Sequence, residues 1–360
     1  MATRTRRRKG ETIMIELRND ALIFSFPKVH EQARLAIGFQ RTLRIPDDGK
    51  DYPLPPGLGN FGLRHVDDFA ENVPADWLAH GGVMLPMYQS EAMWLFFGQC
   101  SIEDAEGVPY PFALKVAAGK ICAVTGEEWS NALHKKPQDY MVVPEQPWLD
   151  GYCVEKGVIR QFVAMPLGAG YSAEEQITGQ GEYGGLQIIV YPMMREAFER
   201  YLRNRGKMRA RFMGGPKAKK VLGLTAAGPS MGLAPGGRMR QQIFDDPFDF
   251  DDWDTEHSSR CFIHIANSLV WREIAGERPP TIPPTSKQYT KAGLPWFDYY
   301  NDGAEALPGS TILEKLKSAV QMGKQKGDVP LPENESVEVE RVIQLRSGLT
   351  KDQVREGDWG

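Results

Sequence analysis

Between Leu35 and Ile45 the chain reads LAIGFQRTLRI, with Leu35, Ile37, Phe39, Leu43 and Ile45 on one side of a period of two. That spacing shows one face of a pleated strand to a core and does not fit the turn of a helix. The strand ends in PDDGKDYPLPPGLGN, where Asp48-Gly49 is a turn signal and the prolines cannot donate to a ladder. Further strand candidates are the short apolar stretches ALIFSF (21–26), AMWLFF (92–97), PFALKVAAGKICAV (111–124, two strands), YMVV (140–143), YCV, VIRQFVAMPL (158–167) and GLQIIVYPM (185–193). Glu155-Lys156-Gly157 reads as a tight hairpin between two of them. Short strands divided by turn signals, without strict strand–helix alternation, argue for a sandwich or barrel and against a doubly wound parallel sheet.

Helices are fewer. In MREAFERYLRNRG the residues Met194, Phe198, Tyr201 and Leu202 share one helical face, and Gly206 can end the helix. Residues 213–237 hold seven Gly and three Pro, which predicts a linker. Beyond it stand a strand CFIHIA (261–266), a short helix after Asn267-Ser268, a helix capped by Ser310, the segment VEVERVIQL (337–345) as strand or helix turn, and a capping box from Thr350 to Gln353. The expectation is a β-rich α+β protein: a basic disordered leader (1–14), a strand-built sandwich or barrel-like region (15–192), a basic helix with a Gly/Pro-rich linker (193–237), and a smaller mixed C-terminal region (238–360).

Composition excludes several classes. A chain of 360 residues with 41% hydrophobic and 25% charged residues is of globular type and long enough for a sizeable core. A net charge of -4 argues against a general nucleic-acid coat. The basic leader lacks the apolar run of a secretory signal, and no stretch approaches the roughly twenty apolar residues of a membrane span. Met14 is an alternative start. Four cysteines without a CxxC pair point to a reducing, cytoplasmic setting, with Cys122 in KICAV as a buried small hydrophobe.

The stretches FQRTLRIPDDGKDYPLPPGLGNF, PEQPWLDGY, RQFVAMPLGAGY, MGLAPGGRMRQ and AGLPWFDYYNDG resemble those of an uncharacterised bacterial protein family, from about residue 35 to residue 303. The resemblance implies a bacterial cytoplasmic setting. It implies no mechanism and carries over no functional residue.

Three constellations compete as sites. The first is a near repeat, PWLDGY (147–152) and PWFDYY (295–300). Its Trp148, Asp150, Tyr152, Trp296, Asp298 and Tyr300 combine stacking faces with carboxylates, as a carbohydrate-like ligand requires; the alternative is packing of indoles at a core edge. The flanks do not align, so true duplication is rejected, and the two loops are expected to meet. The second is the acidic run 244–264. There Asp249, Asp251, Asp254, Glu256 and His257 offer oxygen and imidazole ligands to a divalent metal, although Trp253, Asp254 and Arg260 break the EF-hand pattern; the alternative is a solvated loop. A zinc set of His257, Cys261 and His264 is poor, because Cys261 and His264 face opposite sides of a strand. The third is the basic stretch 200–220, with Arg203, Arg205, Lys207, Arg209 and Arg211 able to meet phosphates or acidic patches of the same protein. P-loop, dinucleotide, GxSxG and HExxH patterns are missing, and a carboxylate pair from Glu145, Asp150 and Glu155 is a weak glycosidase signal. The leading expectation is a non-catalytic binding or assembly protein, with a protein partner or self-assembly ahead of a small carbohydrate-like ligand. A hydrolase using the acidic loop 245–257 is the alternative, and nucleic-acid binding through 200–220 the third. No cofactor is called for; a divalent metal is the one the acidic loop admits.

Overall fold

A computed structural model describes residues 14–99, 108–205, 230–300, 304–328 and 334–346. In chain order the elements are β1 (Ile15–Arg18), β2 (Ala21–Ser25), β3 (Arg34–Thr42), β4 (Asp51–Tyr52), β5 (Gly57–Asn60), β6 (Arg64–His65), α1 (Ala75–His80), β7 (Val83–Met87), β8 (Ala92–Gln99), β9 (Phe112–Ala118), β10 (Ile121–Cys122), β11 (Met141–Val143), β12 (Trp148–Leu149), β13 (Gly151–Glu155) and β14 (Val158–Pro166). They continue with α2 (Ala173–Thr178), β15 (Leu186–Pro192), α3 (Arg195–Arg205), β16 (Met231–Arg240), β17 (Ser259–Asn267), α4 (Trp271–Ala275), α5 (Ser286–Lys291), β18 (Trp296–Tyr300), α6 (Thr311–Glu314), α7 (Ala319–Lys326) and β19 (Val342–Arg346).

The fold is β-rich and sandwich-like, not a closed barrel. The larger sheet runs β1-β2-β3-β8-β14-β16-β4, with β5, β12 and β13 as side branches; the smaller runs β10-β9-β15-β17-β7-β6, with β11 beside β9. Alternation fixes the inward faces. Leu35, Ile37, Phe39, Met93, Leu95 and Phe97 of the larger sheet share one buried core with Leu114, Val116, Ile188, Val190, Cys261 and Ile263 of the smaller. Two small cores lie outside it. One packs Trp77 of α1 and Trp271 and Ile274 of α4 against Met84 and Ala266. The other joins Tyr171 and Ala319 to Met165 and Ala234 on the outward face of β14 and β16.

The strand β16 is where sequence and structure part. Met231 to Gly237 was expected in the linker, yet these residues form the first part of a ten-residue strand paired along β14. Gly236 and Gly237 sit in a bulge opposite Gln161, which tolerates Pro235 next to them. A side chain at Gly237 would collide with the carbonyl of Pro46, so glycine marks a close backbone approach here and not freedom. Gln161, wholly buried, holds the same corner by donating to Leu43 O (2.8 Å) and accepting from Ile45 N (3.1 Å).

Other elements differ in detail. In α3 the buried side is Ala197 and Phe198 with Tyr201, whereas Met194 and Leu202 are exposed. The Ser310 helix is two short helices, the second starting afresh at a Ser318 capping box. Segment 337–345 supplies β19, which pairs in parallel with β18. Cys122, Cys153 and Cys261 are free and buried. Among the described residues no helix is long and apolar enough to cross a membrane. The basic leader before Met14, the stretch 206–229 and the Thr350–Gln353 capping box lie outside the described residues.

Candidate ligand-binding face

The same alternation that buries Met93, Leu95 and Phe97 turns Trp94, Phe96 and Gly98 outward on β8. β12 pairs with β8 so that Leu149 meets Leu95 inside and Trp148 meets Phe96 outside. β18 then brings Tyr299 to the far side of Trp148. The result is a continuous series of rings: Phe96 to Trp94 at 6.2 Å and 88°, Trp94 to Trp148 at 6.3 Å and 71°, and Trp148 to Tyr299 at 4.9 Å and 61°. These are edge-to-face arrangements, favourable for aromatic quadrupoles.

Beside the rings the sheet surface is low. Gly38 lies opposite Phe96, Ala36 opposite Gly98, and Ala21 opposite Gly38 on the next strand. A Cβ at Gly38 would have nothing within 4 Å. Phe96 folds its ring over Gly98 and Trp94 lies over Gly57. Phe96 remains 42% exposed, and Trp94 Nε1 is out of solvent with no acceptor. Gln40 donates to Asn60 at the margin. The surface is thus a shelf of small residues walled by aromatics.

The two repeated phrases do meet here, through Trp148 and Tyr299, but their equivalent letters do different things. Trp148 is half-buried and outward, whereas Trp296 is fully buried and donates Nε1–H to Thr290 Oγ1 (3.1 Å). Asp150 is buried where β12 hands over to β13. Gln241 donates to its carboxylate (2.7 Å) and accepts from its backbone N–H (3.0 Å). Burial pushes the Asp150 carboxyl up to about 7, against the smaller opposing effect of the Gln241 bond. Tyr152 is fully buried, its hydroxyl donates to Leu233 O (2.8 Å), and burial raises its pKa. Asp298 accepts from Arg240 at 2.9 and 3.1 Å. The side chain of Tyr300 lies outside the described set. Asp150, Tyr152 and Trp296 are therefore buried and hydrogen-bonded within the fold, whereas Trp148 lines the shelf. Trp94 and Phe96 were not singled out as ligand contacts in the sequence, though the outward positions of AMWLFF carried that signal.

The acidic run is spread over separate structural tasks. Asp246 is buried and accepts from Tyr140 Oη (2.6 Å), Trp253 Nε1 (2.9 Å) and Phe248 N (2.9 Å). Asp254 closes a turn by accepting from the backbone N–H groups of Glu256 and His257 at 3.0 Å, and from His257 Nδ1 at 3.0 Å. Asp249, Asp251 and Glu256 are exposed, and Asp252 pairs with Arg200 of α3. Among the described residues no group of three or more His, Cys, Asp or Glu side chains is placed to hold a metal ion. Cys261 faces the core, while His264 faces outward, stacked on Trp77 at 4.9 Å. Glu155, one member of the weak carboxylate pair, bonds Arg238 at the surface while Asp150 is buried.

Of the basic stretch, Arg203 is exposed and pairs with Glu199 at 3.9 Å along its own helix. The side chain of Arg205 and all of Lys207, Arg209 and Arg211 lie outside the described residues. No protein-family model matches this chain, and no curated protein or solved structure matches it.

Proposed function

We propose that the chain is a non-catalytic binding protein whose ligand lies on the aromatic shelf of the larger sheet. The observation that carries this reading is the four-ring series from Phe96 to Tyr299, beside the small residues Ala36 and Gly38, of which Gly38 is recessed. Ring faces next to a low floor suit a flat, largely neutral ligand with C–H faces and hydroxyls, which is carbohydrate-like chemistry. Titrating neutral oligosaccharides against the full chain tests this. Trp148→Ala and Phe96→Ala are each expected to weaken binding tenfold or more, as about 2 kcal/mol for an aromatic anchor implies. A saccharide that binds equally well to both variants would place its site elsewhere.

A second reading, self-assembly, rests on a different observation. Val342 (39%), Ile343 (37%) and Gln344 of β19 are exposed, and the strand lies in the same small ribbon as Tyr299. Molar mass in solution checks it: a concentration-dependent dimer abolished by Ile343→Lys supports assembly, and a monomer at every concentration excludes it.

A further inference from the structure

A cavity of about 400 Å³ lies between Arg160 of β14 and the turn that joins α6 to α7. Arg160 is its one buried charge, with a side chain 12% exposed. Lys315, Lys317, Gln321 and Gln325 stand exposed around it, with Glu314 as the single acid. The turn is held in place. Lys317 N donates to Gln176 Oε1 (2.8 Å) and Gln176 Nε2 donates to Lys317 O (2.9 Å), which pins it to α2. Leu316 is buried beside it, and Ser318 caps α7.

Arg160 is incompletely matched. Its Nη1 donates to Gly236 O at 3.3 Å and stands 3.7 Å from Asp47 Oδ1, while Nε and Nη2 bond to no described residue. Asp47 is itself divided, because Arg44, Ser318 and the backbone of Val320 also draw on it. Burial lowers the Arg160 pKa, and the opposing pull of Asp47 is the smaller effect. A desolvated cation calls for more counter-charge than this. The two glutamines are set as donors. Gln321 Oε1 accepts from Ser318 N at 2.8 Å, and Gln325 Oε1 accepts from Lys317 Nζ at 3.1 Å. With both oxygens engaged, each residue has its Nε2 amide left to offer. The cavity therefore presents donors from every side, and its three cations against one acid leave a surplus of two positive charges in a chain of net charge -4.

We propose that this cavity binds the dianionic phosphate group of a small phosphate monoester. A monoester carries close to two negative charges at neutral pH, which matches the surplus, whereas a carboxylate carries one. The planar fork of Arg160 suits two phosphate oxygens, and the ammonium and amide donors at the rim suit the third. A bare phosphate fills only part of the cavity, which leaves room for a small organic remainder. None of these residues belongs to the aromatic shelf, so the two sites stand independently.

Calorimetric titration of the full chain at constant ionic strength, with chloride as the balancing anion, tests the proposal using inorganic phosphate, glycerol 3-phosphate and acetate. Expected is one-to-one binding of both phosphate probes, with acetate weaker by roughly tenfold or more. Gln325→Glu keeps an acceptor for Lys317 and adds a negative charge at the rim, so its melting temperature should be unchanged while phosphate affinity falls roughly tenfold or more. Lys317→Gln, also at an exposed position, should weaken binding roughly fivefold. Arg160→Gln should abolish binding. It also leaves Asp47 less well matched and should lower the melting temperature, so the two rim variants, which alter nothing buried, carry the test. Absence of binding by both phosphate probes, acetate binding as tightly as phosphate, or unchanged phosphate affinity in Gln325→Glu and Lys317→Gln overturns the proposal.

Discussion

On the larger sheet the outward rings rest on glycine: Trp94 over Gly57 and Phe96 over Gly98. On the smaller sheet the outward rings rest on cations: Trp129 over Lys115 and Arg260, Tyr183 5.9 Å from Lys120, and Phe262 under Arg260. Both faces come from the same period-two alternation, and the difference lies in what occupies the alternate positions. Small residues leave a low neutral floor. Long cations under aromatic rings produce a polar surface in which some charge is matched and some is not. One sandwich thus presents two chemically different surfaces.

The largest effect should separate the faces by stability. Asp139→Ala leaves Lys115 buried without its carboxylate and should cost about 3–5 kcal/mol, whereas Phe96→Ala, at an exposed position, should cost about 1 kcal/mol or less. Urea unfolding at neutral pH measures both. Equal costs would break the distinction between a charged, buried face and an open, neutral one.

The two tryptophans of the repeated phrases allow a second comparison of nearly equal size. Trp296→Ala removes a fully buried indole and should cost about 3–5 kcal/mol. Trp148→Ala removes a half-buried one and should cost clearly less while losing the shelf ligand. If Trp148→Ala unfolds the protein as readily as Trp296→Ala, Trp148 is a packing residue and the shelf loses its central wall.

Titration supplies a third contrast, because one buried acid and one buried base act in opposite directions. Burial raises the Asp150 carboxyl to about 7, so folding favours its protonated form. That stability is complete below the ordinary carboxylate value near 3.8 and is lost as pH rises through about 7. Burial lowers His264 to about 4, outweighing the bond to Gly81 O (3.0 Å), so folding favours the neutral ring. Its contribution is complete above 6.5 and is lost as pH falls through about 4. Between pH 4 and 6.5 the two slopes oppose, on the order of 4 kcal/mol for Asp150 and 3 kcal/mol for His264 over their full ranges at about 1.4 kcal/mol per pKa unit. Relative to the wild type, Asp150→Asn should lose stability more steeply on acidification, and His264→Phe less steeply. Parallel stability–pH curves for the three proteins would show that neither group is shifted.

The sequence disclosed what depends on local pattern. Alternation in 35–45 gave a strand and its inward face, the short apolar runs 92–97 and 185–193 gave strands, and Glu155-Lys156-Gly157 gave a hairpin, because these are decided within a few residues. It misjudged features set by distant neighbours. Gly236 and Gly237 read as loop residues, yet glycine is needed there because residues 45–46 press on the bulge. PWLDGY and PWFDYY looked equivalent, yet the first is divided between two antiparallel strands while the second runs through one strand of a parallel ribbon. The rings of Trp94 and Trp148 are 54 residues apart in the chain, and only sheet register brings them together.

The smallest perturbation is also the sharpest test of the shelf. Gly38 has an ordinary backbone conformation, and a Cβ there would meet nothing within 4 Å. Gly38→Ala should therefore leave stability unchanged or raise it by about 0.4–1 kcal/mol, because the unfolded chain loses freedom. The added methyl would stand on the floor opposite Phe96, where a flat ligand must approach the sheet. Stability and binding should part company: an unchanged or higher melting temperature together with weaker saccharide affinity. The same change at Gly237, where a Cβ collides with the Pro46 carbonyl, should instead lower stability without acting on the shelf. If Gly38→Ala binds the shelf ligand as tightly as the wild type, the ligand does not reach the floor, and the rings alone, read from their exposed edges at Phe96, define the site.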